Sequence, residues 1–385
     1  MLGAMSRTLP EMLALLERLA PLELAEEWDN VGLLLEPSAA LHRPISRVFL
    51  CIDLSENVLD EALGAGADFL FAYHPPLFRG VKRLLATQAG DRVLLRALEA
   101  GLAVYSPHTA LDAAQGGVND WLASAFGPGR CSPLVASTSS SQAEFKLVVF
   151  VPRPHLAALR HALSSELGAG RIGDYSECSY ELEGQGSFFG HEGATPQVGQ
   201  RGQLELVPEV RLEMRCPASA VKDLARVIAA HHPYEEPAWD LYPLHARASA
   251  SSRAVGAGRL LELDTPLSLL DAVARLKAHL GVDTLRVATS GPHNAGSPIA
   301  RIAVCAGAGG SLFEHVRSAD LFVTGEMRHH DVLAKLRQGS SVLLSEHTHT
   351  ERGFLPSFAR QLEAASDGAL EVIVSRLDAD PLRTV

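Results

Sequence analysis

Between Thr324 and Phe354 the chain gathers four histidines, His329, His330, His347 and His349, and with them the carboxylates of Glu326 and Glu351, all able to ligate a divalent ion. His347 and Glu351 are four residues apart, so a helix beginning there would carry imidazole and carboxylate on one face. Upstream, Ser106-Pro-His-Thr-Ala-Leu-Asp repeats the spacing of Ser345-Glu-His-Thr-His-Thr-Glu, pairing His108 with His347 and Asp112 with Glu351. His74 follows the apolar run Asp68-Phe-Leu-Phe-Ala-Tyr. A mixed imidazole and carboxylate shell favours Zn, Mn or Fe without choosing among them. A divalent ion held there would acidify a bound water at neutral pH and polarise a substrate oxygen. Glu351 and Asp112 each offer such a site two oxygens.

Other residues admit two readings each. Glu326 and His330 line the pocket as a proton shuttle, or Glu326 sits at a helix N-terminus favoured by the dipole and His330 on that helix's surface. His329 and His349 read as solvent-facing. Trp28, Asp29 and Asn30 either wall the site or form a buried turn. Arg352 holds a substrate phosphate or makes a surface ion pair. Gly307-Ala-Gly-Gly is a weak phosphate-turn signal with no Walker pattern beside it. In His231-His-Pro-Tyr the two histidines read as structural.

The elements that must position these side chains are short β-branched runs alternating with helices, which implies a mainly parallel α/β sheet. Arg47-Val-Phe-Leu-Cys and Ala67-Asp-Phe-Leu-Phe correspond to Arg301-Ile-Ala-Val-Cys and Ala319-Asp-Leu-Phe-Val. Each half therefore supplies strands whose C-terminal ends carry ligands, the place where open α/β sheets put their sites. A Ser-rich stretch at 132–141 and an Ala/Ser/Gly-rich one at 247–258 bracket a middle segment whose element order, β-α-β-β-α-β, is ferredoxin-like. The expected organisation is residues 1–135 and 255–385 as two related α/β halves, with an α+β domain inserted over 143–246.

With 34 basic against 45 acidic residues the net charge is −11, which argues against a general nucleic-acid or anionic-membrane surface and leaves room for a local basic patch. The five cysteines, Cys51, Cys131, Cys178, Cys216 and Cys305, form no CxxC pair, as expected of reduced thiols. The N-terminal run from Leu9 is amphipathic, interrupted by Glu11 and Glu17, with no secretory core and no membrane-spanning stretch. A cytoplasmic location is the expectation.

Five ordered motifs resemble the NIF-three-like family: Glu27-Trp-Asp-Asn-Val-Gly-Leu, Tyr73-His-Pro-Pro-Leu-Phe, the stretch from His108 to Asp120, Thr324-Gly-Glu-Met-Arg-His-His-Asp, and His347-Thr-His-Thr-Glu-Arg-Gly-Phe. Members are labelled GTP cyclohydrolase I type 2 homologues or dinuclear metal centre hexameric proteins. The middle segment, by its His232-Pro-Tyr-Glu-Glu-Pro-Ala, resembles the PII/CutA-like domain that some members carry inserted. The resemblance implies a toroidal homohexamer with two divalent ions per subunit, held by His74, Asp112, His347 and Glu351, with His108 as ligand or supporting residue. It also implies a hydrolase acting on a nucleotide or related small molecule. The alternative is a non-catalytic, metal-binding regulatory hexamer whose insert senses a ligand. The sequence departs from the family's His-His-Pro motif at Tyr73, where it is similar to the eukaryotic branch. A phenol, with a pKa near 10, is a poorer ligand than neutral imidazole. Either one metal position is weakened, or His108, Tyr73 or a water fills it.

Overall fold

In the computed structural model the described residues are 6–41, 43–137, 144–172, 175–244, 255–314, 316 and 318–383. Parts of both bracketing segments read from the sequence, 138–141 and 247–254, lie outside them. The first strands are β1 (Gly32–Leu35), β2 (Arg47–Cys51), β3 (Phe69–Ala72), β4 (Ala103–Ser106), β5 (Gly129–Ser132) and β6 (Val135–Ala136). Then come β7 (Glu144–Val151), β8 (Ser179–Phe189), β9 (Leu204–Pro217) and β10 (Trp239–Pro243). The chain continues with β11 (Gly256–Ala257), β12 (Arg259–Leu267), β13 (Arg286–Ala288), β14 (Ile299–Cys305), β15 (Leu321–Thr324), β16 (Ser341–Leu344) and β17 (Glu371–Val374). The protein is a mixed α/β chain with several sheets. Among the described residues no helix is long and apolar enough to cross a membrane.

Two compact units emerge, residues 1–137 with 249–385, and residues 138–248. The first unit holds two sheets, ordered β1-β4-β3-β2-β17 and β13-β16-β15-β14-β12-β5. Strands β2, β3 and β4 run parallel, as do β14, β15 and β16, and each trio ends on a short antiparallel edge strand, β1 or β13. Strands β3, β15 and β16 are buried along their length because helices and loops cover both faces, which is why their sequences are nearly continuous apolar runs. The repeated Asp does one job in both. Asp68 Oδ2 accepts from the backbone N–H of Ser46 and Arg47, each at 3.0 Å, and Asp320 Oδ2 from Ala300 and Arg301, each at 2.8 Å.

After its ligand loop each half crosses to the other half's sheet. The helix Val118–Ser124 packs Leu122 and Ala123 with Phe126 into the core around Ile302, Val304 and Val323, and β5 then pairs with β12. The helix Leu355–Ala365 lays Phe358 against Phe71, ring centroids 4.8 Å apart, and β17 pairs in parallel with β2. The halves thus exchange a helix and an edge strand. The ligand loops lie where the chain turns from one sheet toward the other.

The second unit has one antiparallel sheet, β10-β7-β9-β8, with the helices Leu156–Leu167 and Leu224–His231 packed on it. Strand β9 pairs along most of its length with β8 in an antiparallel hairpin. His232 is buried there. Its Nδ1 accepts from the Tyr234 N–H at 3.1 Å, so Nε2 carries the proton and donates to the Phe150 carbonyl at 2.9 Å. A turn, not a metal, explains this histidine.

Candidate metal centre

His74 enters the site from the end of β3. Its Nδ1 meets Asp53 Oδ1 at 2.9 Å, and its Nε2 lies 3.3 Å from Glu351 Oε2. His347 follows β16; its Nδ1 meets Glu326 Oε1 at 2.7 Å, and its Nε2 lies 3.3 Å from Glu351 Oε1. Glu351 sits in the short helix His349–Arg352 and is only 3% exposed. The helix begins after His347, so Glu351 reaches the imidazole from the following turn rather than along one continuous helical face. The ligand atoms of His74, His347 and Glu351 all lie within 4.8 Å of one another.

Three features fit this triad to a divalent ion. The donor set, two imidazole nitrogens and a carboxylate, suits Zn, Mn or Fe. The 3.3 Å separations are longer than charge-assisted hydrogen bonds and close to the edge of a tetrahedron with bonds of about 2.0–2.1 Å. Glu351 Oε2 is buried without a hydrogen bond, a costly condition that a cation would relieve. Gly307 guards the same space. A Cβ there would stand 2.8 Å from Glu351 Oε1 and 2.9 Å from His347 Nε2, and its φ of +62° already favours glycine. The glycine-rich turn read as a weak phosphate signal is therefore a close approach of backbone to the ligands. It is held by Thr350 Oγ1 at 2.7 Å from the Gly307 N–H.

Beside the triad lie Asp112, Tyr73 and His108. Tyr73 is 1% exposed and its hydroxyl donates to Asp112 Oδ1. Burial, with the charges of Asp112 and Glu351 adding to it, pushes the phenol well above its ordinary pKa. Tyr73 is thus a neutral donor that orients Asp112 in the metal-free protein. Burial likewise pushes Asp112 up to about 6, Glu351 adding to the rise while Tyr73, His108 and His74 oppose it. His108 Nδ1 is 2.8 Å from both oxygens of Asp29, whose side chain is fully buried. The His108 ring lies 5.4 Å from that of His74, and His74 5.6 Å from His347, centroid to centroid. His108 also has a φ of +32°, uncommon outside glycine and typical of constrained functional positions.

All three histidines therefore present Nδ1 to a carboxylate: Asp53, Asp29 and Glu326. Sequence reasoning left Asp53 out, read Asp29 as a wall residue or part of a buried turn, and Glu326 as a proton shuttle or a carboxylate at a helix N-terminus. The one available signal is that Asp53 immediately follows a strand, as the ligands do. Burial acts to raise Asp53 and Asp29, but their histidines, helped by Arg352 at Asp53 and by the hydrogen bonds of Thr109 at Asp29, outweigh it and hold both below the usual carboxylate range. His74 shows the reciprocal effect. Burial opposes its charge, yet Asp53 and Glu351 raise it to about 10 in the metal-free protein.

His330 is exposed near the start of the helix His329–Arg337, and its ring neighbour is His329. His349 turns its Nδ1 to the Ser345 carbonyl at 2.7 Å. Arg352 is committed to Asp378 at 2.6 Å and stands 3.6 Å from Asp53, steadying the carboxylate behind His74 rather than reaching for a phosphate.

A fold of two sheets that share a histidine and carboxylate centre at their strand ends defines the class. The family profile of Duf34/NIF3 (NGG1p interacting factor 3) matches residues 7–381, and the chain belongs to that family. It is 34% identical over 375 residues to a GTP cyclohydrolase 1 type 2 homolog of Halalkalibacterium halodurans, covering 96% of this chain and 97% of that one. It is 35% identical over 387 residues to NIF3-like protein 1 of Rattus norvegicus, covering 99% and 94%. Among solved structures, a Bacillus cereus protein related to NIF3 aligns over 98% of both chains with a TM-score of 0.68 and 31% identity. Staphylococcus aureus protein SA1388 aligns over 99% of both with a TM-score of 0.75 at 24% identity, a likeness of fold alone.

Proposed function

We propose that the chain is a divalent-metal-dependent hydrolase acting on a nucleotide or related small molecule. The observation that carries this reading is the buried Glu351 between two imidazoles, each fixed by its own carboxylate. His74, His347 and Glu351 would hold one ion, and Asp112 and His108 would serve a second. Bound there, the metal supplies Lewis acidity, acidifying water and polarising a substrate oxygen. The chain's residues supply the positioning. Asp53 and Glu326 accept the Nδ1 protons of His74 and His347 and so direct Nε2 toward Glu351. Tyr73 donates to one oxygen of Asp112, and Gly307 keeps the space beside Glu351 clear. Relatives named GTP cyclohydrolase 1 type 2 homolog make GTP the first substrate to try.

The unit of residues 138–248 we read as a ferredoxin-like, PII/CutA-like insert, a reading supported by its strand order and its two helices on the sheet. A toroidal homohexamer is part of the same proposal. The second reading, a regulatory metal-binding assembly, is favoured by a cleft of about 610 Å³ in that unit, lined in part by Phe150, Phe188, Glu209, Arg211 and Tyr234. Replacing His347 and Glu351 by Ala separates the two. Turnover of GTP or another nucleotide that disappears while native mass spectrometry records an unchanged assembly supports the hydrolase. Metal-loaded wild type that turns over nothing in a broad nucleotide panel transfers the argument to the regulatory reading.

A further inference from the structure

Two large aromatic side chains stand in water at the edge of the metal centre. Trp28 is 61% exposed and Phe78 43%. Their ring centroids are 6.1 Å apart at 52°, and they lie 6.1 and 6.5 Å from the ring of His108, nearly perpendicular to it. Scattered exposed apolar residues are ordinary. This pair differs in being held in place. The loop that carries Trp28 is pinned by Asp29 to His108 and to the Thr109 N–H at 3.1 Å, and by the Glu26 N–H to Thr109 Oγ1 at 3.0 Å. Asn30 Nδ2 donates to the Leu77 carbonyl and so ties that loop to the one carrying Phe78. An exposed indole on a fixed backbone loses little freedom when a ring stacks on it, which makes it a preorganised binding surface.

The loop beyond Phe78 adds a second observation. Arg79, Lys82 and Arg83 are exposed, and among the described residues none of them has an ion pair. Three such cations within five residues, on a chain of net charge −11, are suited to an anionic ligand. Beside an aromatic pair and a metal centre they specify a ligand with a planar ring and phosphates.

We propose that Trp28 and Phe78 form a stacking shelf for the base of a nucleotide, next to the metal centre and with the Arg79–Arg83 loop facing its phosphates. The choice of nucleotide rests on the hydrolase reading; the shelf itself does not require turnover. The test uses the full-length, metal-loaded protein, with GTP and inorganic tripolyphosphate as probes, followed by calorimetry and tryptophan fluorescence. GTP should quench wild-type fluorescence. Trp28→Ala should weaken GTP binding about tenfold, in line with the loss of one base-stacking contact, while leaving tripolyphosphate binding unchanged. Trp28→Phe should retain most of the affinity. The shelf is overturned if Trp28→Ala binds GTP as wild type does. It is equally overturned if native mass spectrometry finds the assembly of Trp28→Ala reduced, since a second copy of the chain then covers the indole. GTP that quenches Trp28 but is never hydrolysed leaves the shelf standing and removes the hydrolase. GTP hydrolysed with an unchanged KM by Trp28→Ala does the reverse.

Discussion

At the scale of residues, the centre is defined less by its ligands than by what stands behind them. A neutral imidazole is a good ligand only when its other nitrogen is fixed, and here Asp53, Asp29 and Glu326 each fix one. Glu326 is exposed, so Glu326→Gln should leave the fold and its thermal midpoint unchanged. It should lower metal affinity about 10- to 100-fold, read by competition with a chromogenic chelator. The proton inventory gives a pH dependence. His74 has its folded pKa raised to about 10, above the 6.5 of an unperturbed imidazole. Its contribution to the stability of the metal-free fold is therefore complete below about 6.5 and is lost as pH rises through 10. A metal must displace that proton. Metal uptake at pH 7 should release protons, and apparent affinity should rise with pH; titration calorimetry in buffers of different ionisation enthalpy reads both. His347 and Glu351 were legible from sequence because their spacing is local. Asp53 and Asp29 were not, since they act on partners 21 and 79 residues away.

At the scale of elements, the ligands sit where strands end and loops begin, and the loops are shaped by close packing. Gly307 is the clearest case. Gly307→Ala should keep both sheets but lose bound metal, because its Cβ would fall 2.8 Å from Glu351 Oε1 and 2.9 Å from His347 Nε2 at a φ that L residues rarely adopt. Circular dichroism unchanged beside a metal content well below wild type is the expected pair of results. From sequence this glycine resembled a phosphate turn, because the side chains that require it lie 40 and 44 residues downstream. Tyr73 shows the converse. Its identity raised the question of a lost ligand, and only its burial and its bond to Asp112 gave it a different task. The repeat was legible in detail down to Asp68 and Asp320, whose carboxylates hold matching strand starts.

At the scale of the molecule, the centre depends on two halves that each complete the other's sheet. Arg259 fastens them. It is 1% exposed, bonds to Asp120 at 2.5 Å, and donates to the carbonyls of Ala113, Ala114, Gly256 and Gly258. Arg259→Met should destabilise the protein by about 3–5 kcal/mol, the cost of leaving Asp120 and buried carbonyls unpaired, seen as a lower denaturant midpoint. Two related halves could be read from the strand repeat. Their exchange of β5 and β17 could not, since a four-residue apolar run such as Glu371–Val374 carries no mark of which sheet it joins. The central claim is a two-ion centre shared between the halves, and elemental analysis of the purified, metal-reconstituted protein tests it most directly. Close to two divalent ions per chain, falling sharply in the His347→Ala, Glu351→Ala double variant, is the result this account predicts. One ion per chain, or a content the double variant does not change, would contradict it.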